Sequence, residues 1–497
     1  MTIRISRILA AASLAASLPA PLAAFPAAAQ PGVHTASSGG EVMRLLRREK
    51  LDLILPGAMR DNNVDMWIHV TRDGDPDPLA YWFGRTYGYL VFTDLGNRIE
   101  RAAFGSGGAV ADITVRGSDD FARTISSYGR GYQMAFGYGD EVYEEFAAFV
   151  AERDPQTIAV NTSDWLPEAD GISHSSWLKL TRILGPKYTG RIVSAENLIT
   201  DFLVRRTVRE VAEQINNLEA ARQLHQEALA RIEPGRTTIR EIVTWARQEA
   251  YKRHLAGFGT FSRGGVRVYY SAVSPDPPYP IDARYWAWHG DYVLQRGDFF
   301  AFNVGVSYMG FGTDTKTHAY ILREGETAPP ESIQKLFDLA VAGQWIMRPH
   351  MRVGMTAKEA LDAMVAAMEA EGYIYTPFVN SGIQGVGRTP DGTRNLDYVI
   401  IQEGLGDGDQ PGFAIDHHAY GTVGTGTVGP SVTNFRADRH HLVIQENHIF
   451  AFEYMVHMNI PERPGFPLAI NISNPQVVTS RGLEWLQPPN ERIFLIH

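Results

Sequence analysis

Gly297-Asp-Phe-Phe-Ala-Phe-Asn303-Val-Gly-Val-Ser-Tyr308, followed by Thr313-Asp314-Thr-Lys-Thr-His-Ala-Tyr-Ile-Leu322, is the stretch on which the fold turns. The first segment alternates bulky apolar residues with smaller or polar ones, the period-two signature of a strand. Tyr308 to Gly312 supplies a turn, so the two segments read as a hairpin with Asp314 opening its second strand. A later run, Ile449-Phe-Ala-Phe-Glu453-Tyr-Met-Val-His457, has the same character. A carboxylate inside an apolar strand is costly unless paired, hydrogen-bonded or metal-bound, and any polar residue there is informative, which marks Asn303, Asp314 and Glu453 as candidate site residues. Asp314 and His318, and likewise Glu453 and His457, stand four apart and on a strand would share a face. That separation is roughly 13 Å, so each pair could line one cleft but not hold one ion. The alternative is two backbone-bonded carboxylates and two surface histidines.

Outward from the hairpin, helices come in pairs. Residues 195–204 and 208–232 are long, charged and amphipathic, and Glu233-Pro-Gly235 ends the second. Thr238-Ile-Arg-Glu241 is a capping-box pattern opening another helix to about His254. The arrangement returns later: Pro330 to Arg348 reads as a helix, Gly354 breaks the chain, and Thr356-Ala-Lys-Glu359 opens a helix to about Glu371. Gly235 and Gly354 are 119 residues apart, and strand-rich sequence follows each pair, at 266–322 and 447–478. This implies an internal duplication of two αα-plus-sheet halves around one core. Residues 382–430 are Gly-rich and include Asp416-His417-His418, a group suited to metal binding or general base work, or else simply solvated.

Toward the N-terminus, Val42, Leu45 and Leu46 share a helical face, and Leu51 to Pro56 reads as a buried strand. Strands at 87–93 and 157–161 with helical stretches between them, including 140–152, suggest a small α/β domain over residues 41–185. Arg4 and Arg7, the apolar run Ile8 to Leu18 and Ala27-Ala28-Ala29 form a secretory leader, residues 1–29, with cleavage after Ala29 expected. A Gly/Ser/Thr-rich linker, residues 30–40, follows it. The run is short for a membrane anchor and no later stretch is long enough to span, so a periplasmic or secreted protein without a membrane span after processing is expected.

The 497 residues carry a formal charge of −10, which becomes −12 when the leader and its two arginines are removed. An acidic chain is a poor match for nucleic acid. With no cysteine, disulfides, thiolate metal sites and a Cys nucleophile are excluded. Gly424-Thr-Gly426 fits neither nucleotide-binding glycine pattern, and there is no nucleophile elbow or His-Glu-x-x-His helix.

The 297–322 hairpin resembles the creatinase/aminopeptidase P family, whose strand pair carries two metal-binding aspartates with the spacing of 303 to 314. Leu203 to Glu210 resembles the family's junction helix and 447–482 its C-terminal ligand strands. The resemblance implies an α/β (α+β) chain: a small α/β N-terminal domain, then a C-terminal pita-bread domain over 190–497 with a pseudo-twofold αα-β duplication. The family's dinuclear site uses Asp, Asp, His, Glu and Glu. Here the first is Asn303, the second is Asp314, and the first Glu matches Glu453. Counting nine back from Gly482 puts Ser473 at the last Glu. The ligand His falls on Gly or Thr within 422–430 unless a shift brings in His417 or His418. Neutral Asn and Ser bind divalent ions weakly, so Asp314 and Glu453 are read as remnant ligands. The family's catalytic His lies 17 residues before the first Asp, where this chain has Trp286; His289 is displaced by three.

Three readings follow. The first is an exported hydrolase or lyase acting on a small peptide or C–N-bonded substrate without the dinuclear centre and without a cofactor. In it Glu453 works with a proton carrier among His289, His318, His418 and His457, and Asn303, Trp286, Tyr320 and Ser473 face the substrate. The second is an Xaa-Pro aminopeptidase with remodelled ligands and one divalent cation, Mn, Fe or Zn. The third is a non-catalytic relative that binds a peptide or small molecule. A homodimer is compatible with all three.

Overall fold

The computed structural model describes residues 39–72, 77–83, 86–107, 114–116, 140–255, 267–270, 292–303, 305–377, 410–421, 428–462 and 468–497. The leader, Trp286, His289 and most of the Gly-rich stretch lie outside them. Residues 43–497 form one compact unit; of residues 1–42, only the opening of the helix Gly39–Glu49 is described.

Leu51 to Pro56 is helical rather than extended: a π-helical turn, Lys50–Ile54, runs into the helix Leu55–Asp61. Leu51, Leu55 and Met59 are buried while Leu53 is exposed. That is a period of four rather than two, and Pro56 sits in the first turn, where its missing N–H costs nothing. On the preceding helix Met43 and Leu46 are buried, and Leu45 faces outward.

The first sheet holds β1 (Met66–Thr71), β2 (Thr86–Asp94), β3 (Ile99–Gly107), β4 (Thr114–Arg116), β5 (Ile158–Val160) and β6 (Ile192–Ser194), in the order β4-β3-β2-β1-β5-β6. Alternation along β1 divides its two faces. Met66, Ile68 and Val70 pack under the helices Asp140–Arg153 and His174–Thr189 through Phe146, Phe149, Leu180 and Leu184. Trp67 meets Phe83, Phe92 and Phe202 on the other side.

Two larger sheets, accompanied by a two-stranded and a three-stranded one, make the C-terminal half. One has the order β20-β11-β8-β7, from Phe494–Ile496, Thr317–Ile321, Phe299–Asn303 and Arg267–Tyr270. The other has the order β12-β13-β16-β17, from Ile374–Tyr375, Gly412–His418, Glu453–Met458 and Leu468–Ser473, with β14 (Ser431–Thr433) beside β13. Each sheet is backed by a helix pair, Val208–Leu229 with Ile239–Lys252 and Glu331–Met347 with Ala357–Ala370.

The duplication repeats down to single hydrogen bonds. Thr238 and Thr356 each close a capping box with the glutamate three residues on. Gly235 and Gly354 both take positive φ, at 78° and 89°. The Gly235 amide bonds the Leu294 carbonyl at 2.7 Å, and the Gly354 amide bonds that of Ile444 at 2.9 Å. Thr238 bridges Val293 as Thr356 bridges Val443. This is the pita-bread fold, a mixed α/β architecture.

A buried ionic hub ties Lys50 to this half. Lys50 Nζ lies 3.1 Å from both oxygens of Glu210 and also meets the Arg205 carbonyl. Arg206 reaches Glu210 at 3.4 Å and the Tyr420 carbonyl at 3.0 Å.

Candidate active site

The strand period selects which side chains share a face. On β16, Tyr454, Val456 and Met458 join the core under the second helix pair, so Glu453, Met455 and His457 face away from it. On β13, Phe413 and Ile415 join that core, which puts Asp416 and His418 on the same opposite face and His417 behind them. Asn471 and Ser473 follow on β17, Ser473 directly opposite Glu453 in the ladder. On β8, Phe300 and Phe302 pack under the first helix pair, leaving Asn303 on the other face.

Asp314 is not on a strand. β8 ends at Asn303, two short strands, Ser307–Tyr308 and Phe311–Gly312, follow and pair with each other, and β11 starts only at Thr317. Thr313 fixes this excursion, its amide bonding the Val306 carbonyl at 2.9 Å and its hydroxyl accepting from the Val306 amide at 3.0 Å. The Ser473 hydroxyl donates to the Asp314 carbonyl at 3.2 Å.

Asp314, His418 and Glu453 converge, each offering a ligand atom within 4.8 Å of the others. His418 Nε2 stands 3.8 Å from Asp314 Oδ2 and 3.5 Å from Glu453 Oε2. The other oxygen of each carboxylate faces N–H donors. Asp314 Oδ1 accepts from Asn303 Nδ2 at 3.1 Å. Glu453 Oε1 accepts from Lys316 Nζ at 2.6 Å and from Asn471 Nδ2 at 3.0 Å. Lys316 Nζ is also 3.9 Å from Asp314 Oδ1, and its side chain is 0% exposed.

These charges set the protonation of the site. Burial works against the His418 cation, yet its contact with Glu453 and the charges of Asp416, Glu453 and Asp314 outweigh it and raise the imidazole to about 9. Burial would push the Glu453 carboxyl up, but the Lys316 charge and His418 hold it well below the usual range. Asp416 is raised, chiefly by burial.

The remaining sequence candidates lie in different surroundings. His318 packs between Phe299 and Phe337, with ring centroids 6.0 and 5.4 Å away, and burial lowers it to about 3. His457 bonds the Thr376 hydroxyl through Nε2 at 2.8 Å. Tyr320 lies in the core and its hydroxyl donates to Glu326 at 2.9 Å. His417 stacks on Phe452 at 3.8 Å and bonds the Glu453 carbonyl at 2.7 Å through Nδ1. Asn303 and Ser473 border the cluster. Lys316 and Asn471 escaped the sequence reading. A lysine two residues past a candidate aspartate, entering an apolar strand, was the available signal for the first.

A two-ion centre needs oxygen or imidazole donors on both sides of its shared carboxylates. One side here qualifies for a single ion: Asp314 Oδ2, Glu453 Oε2 and His418 Nε2. The other side, as the side chains are oriented, meets the N–H groups of Asn303, Lys316 and Asn471. Among the described residues no further His, Asp or Glu joins the three as a ligand group.

The family model for metallopeptidase family M24 matches residues 279–480. Solved structures with the same fold include an X-Pro aminopeptidase from Thermotoga maritima, with 15% identity, a TM-score of 0.54 and coverage of 88% of this chain and 100% of that one. An Xaa-Pro dipeptidase from Bacillus anthracis has 15% identity, a TM-score of 0.51 and coverage of 91% and 100%. Dipeptidase PepE from Mycobacterium ulcerans has 16% identity, a TM-score of 0.51 and coverage of 91% and 98%. A search of curated proteins finds no match.

Proposed function

We propose that the protein, whose residues 279–480 match the model of metallopeptidase family M24, hydrolyses an amide bond in a small peptide or related C–N-bonded substrate, on a site that does not assemble two metal ions. The observation that carries this reading is the convergence of Asp314, His418 and Glu453 on one face, with Asn303 and Ser473 at its border. Peptidases acting on Xaa-Pro substrates share the fold, which supports a peptide of that class.

The chain's own groups divide the work. Asn303 and Asn471 orient the two carboxylates by donating to one oxygen of each. In the metal-free site His418, between the other two oxygens and raised to about 9, carries a proton on Nε2 at neutral pH that can pass to the leaving nitrogen; with an ion bound, the same nitrogen gives up that proton and serves as a ligand instead. When a divalent ion is bound, Asp314, Glu453 and His418 would hold it, and it would supply Lewis-acid polarisation of the scissile carbonyl. The leader-like N-terminus supports action outside the cytoplasm, and the mass of the mature N-terminus would test cleavage after Ala29.

The test is hydrolysis of Xaa-Pro and Xaa-Xaa di- and tripeptides by purified protein, chelated or supplied with Mn²⁺, Co²⁺ or Zn²⁺. Turnover that Glu453→Gln and Asp314→Asn each reduce at least a hundredfold supports the reading. No turnover under any of these conditions would overturn it.

A further inference from the structure

We infer that the Lys316 side chain replaces one of the two cations of the family's metal centre, so that the pocket takes a single divalent ion and has no room for a second. The inference deepens the reading above and rests on its placing the site at Asp314, His418 and Glu453.

The argument starts from how each carboxylate is divided. A shared carboxylate in a two-ion centre turns one oxygen toward each ion. Asp314 and Glu453 keep that division here, but the two sides are unlike. Oδ2 and Oε2 look toward His418 Nε2 at 3.8 and 3.5 Å. Oδ1 and Oε1 look toward Lys316 Nζ at 3.9 and 2.6 Å. The lysine lies where a cation would bridge the inner oxygens, and its side chain is fully enclosed. An amine on a four-carbon stem delivers a point charge and three donors to such a place.

The surrounding changes suit an N–H cation and not a metal. Asn303 presents Nδ2 to Asp314 and Asn471 presents Nδ2 to Glu453, so both amides face the carboxylates with their hydrogens. Asn471 Oδ1 is buried without a hydrogen-bond partner, so the amide leaves its oxygen unsatisfied while its nitrogen serves Glu453. Ser473 turns its hydroxyl to the carbonyls of Asp314 and Ala451, away from any ligand role. A second divalent ion would meet the lysine's charge and three donors. One ion at the His418 edge meets two open oxygens and an imidazole, a set suited to Mn, Fe or Zn.

Metal stoichiometry tests this without substrate. Purified, chelator-stripped protein would be titrated calorimetrically with Mn²⁺ and with Zn²⁺, and retained metal counted by mass spectrometry after gel filtration. The expected result is one equivalent for the wild type. Asn303→Asp with Ser473→Glu should still retain one. The same pair with Lys316→Met should retain two, and Co²⁺ should show a second absorbing site there. Zero or two equivalents in the wild type would overturn the inference, as would two in the double variant or one in a folded triple variant. The wild-type count stands even if the triple variant fails to fold. One equivalent with no hydrolysis keeps this inference and sinks the proposed hydrolysis; hydrolysis with zero equivalents does the reverse, and two equivalents sink both the inference and the proposed absence of a two-ion centre.

Discussion

Asn303 and Glu453 occupy the same place in the two halves of the fold. Each lies five residues past the end of an equivalent turn, closed by Asp298 in the first half and by His448 in the second. The neutral member donates to Asp314, and the charged one accepts from Lys316. The halves thus share a backbone and differ in charge at its central point. Asn303→Asp would set a second carboxylate against Asp314 Oδ1, with the Lys316 charge 3.9 Å away offsetting only part of the repulsion. Stability in chelator should fall by about 1 to 2 kcal/mol, discounted for the partial exposure of Asp314, and raised salt should recover part of it. Denaturant melts at two ionic strengths check this.

Lys316 and Glu453 should be strongly coupled. Glu453→Gln alone leaves a buried cation without its 2.6 Å partner and should cost about 3 kcal/mol. Lys316→Met alone strands the carboxylate. The double variant should lose much less than the sum of the two, a coupling above about 1 kcal/mol in a double-mutant cycle. Additive losses would mean that the pair is not a unit.

The stability profile should have two pH limbs of opposite origin. Burial holds His318 and His417 at about 3, below the ordinary 6.5. A histidine with a depressed folded pKa supports the fold fully above 6.5 and loses that support as pH falls toward 3. His418, raised to about 9, does the opposite: its support is complete below 6.5 and is lost as pH rises through 9. His318→Phe should reduce the acid limb, His417 still contributing to it, and leave the alkaline one unchanged, as read by chemical unfolding at stepped pH.

Gly412 has no space for a methyl group, because a Cβ there would lie 2.3 Å from the His457 ring. Gly412→Ala should push His457 off the Thr376 hydroxyl and cost about 1 to 3 kcal/mol. Metal uptake should be unaffected, since His457 is not part of the ligand cluster. A melt with a parallel Zn²⁺ titration separates the two effects.

Thr238→Ala and Thr356→Ala remove equivalent caps from the two halves. Each should cost about 1 kcal/mol, and the costs should add because the sites are independent. Markedly unequal losses would argue against equivalent roles for the two turns.

Much of the architecture could be read from the chain, because capping boxes and helical periods are local signals. Thr238-Glu241 and Thr356-Glu359 announced both helix pairs, and the alternation at 299–303 announced β8. Leu51 to Pro56 was misread because a short apolar run fits strand and helix alike until its burial period is known. The pairing of Asp314 with His318 by strand arithmetic failed because the chain leaves the ladder after Asn303 and rejoins it at Thr317. His417 and His418 were indistinguishable until β13 set one on each face. Lys316 and Asn471 carry no motif, and their roles exist only where β11, β16 and β17 bring them to one carboxylate.

The Lys50 hub bears on how the chain holds together once cut. Glu210 caps its own helix through Thr207 and at the same time receives Lys50 from the N-terminal side. A nick between these segments would leave two fragments still joined by a desolvated ion pair and by the carbonyls of Leu203 and Arg205. Protease-clipped protein should therefore co-purify as a single species and separate only in denaturant, with the N-terminal fragment acting as a tethered counter-ion for the other.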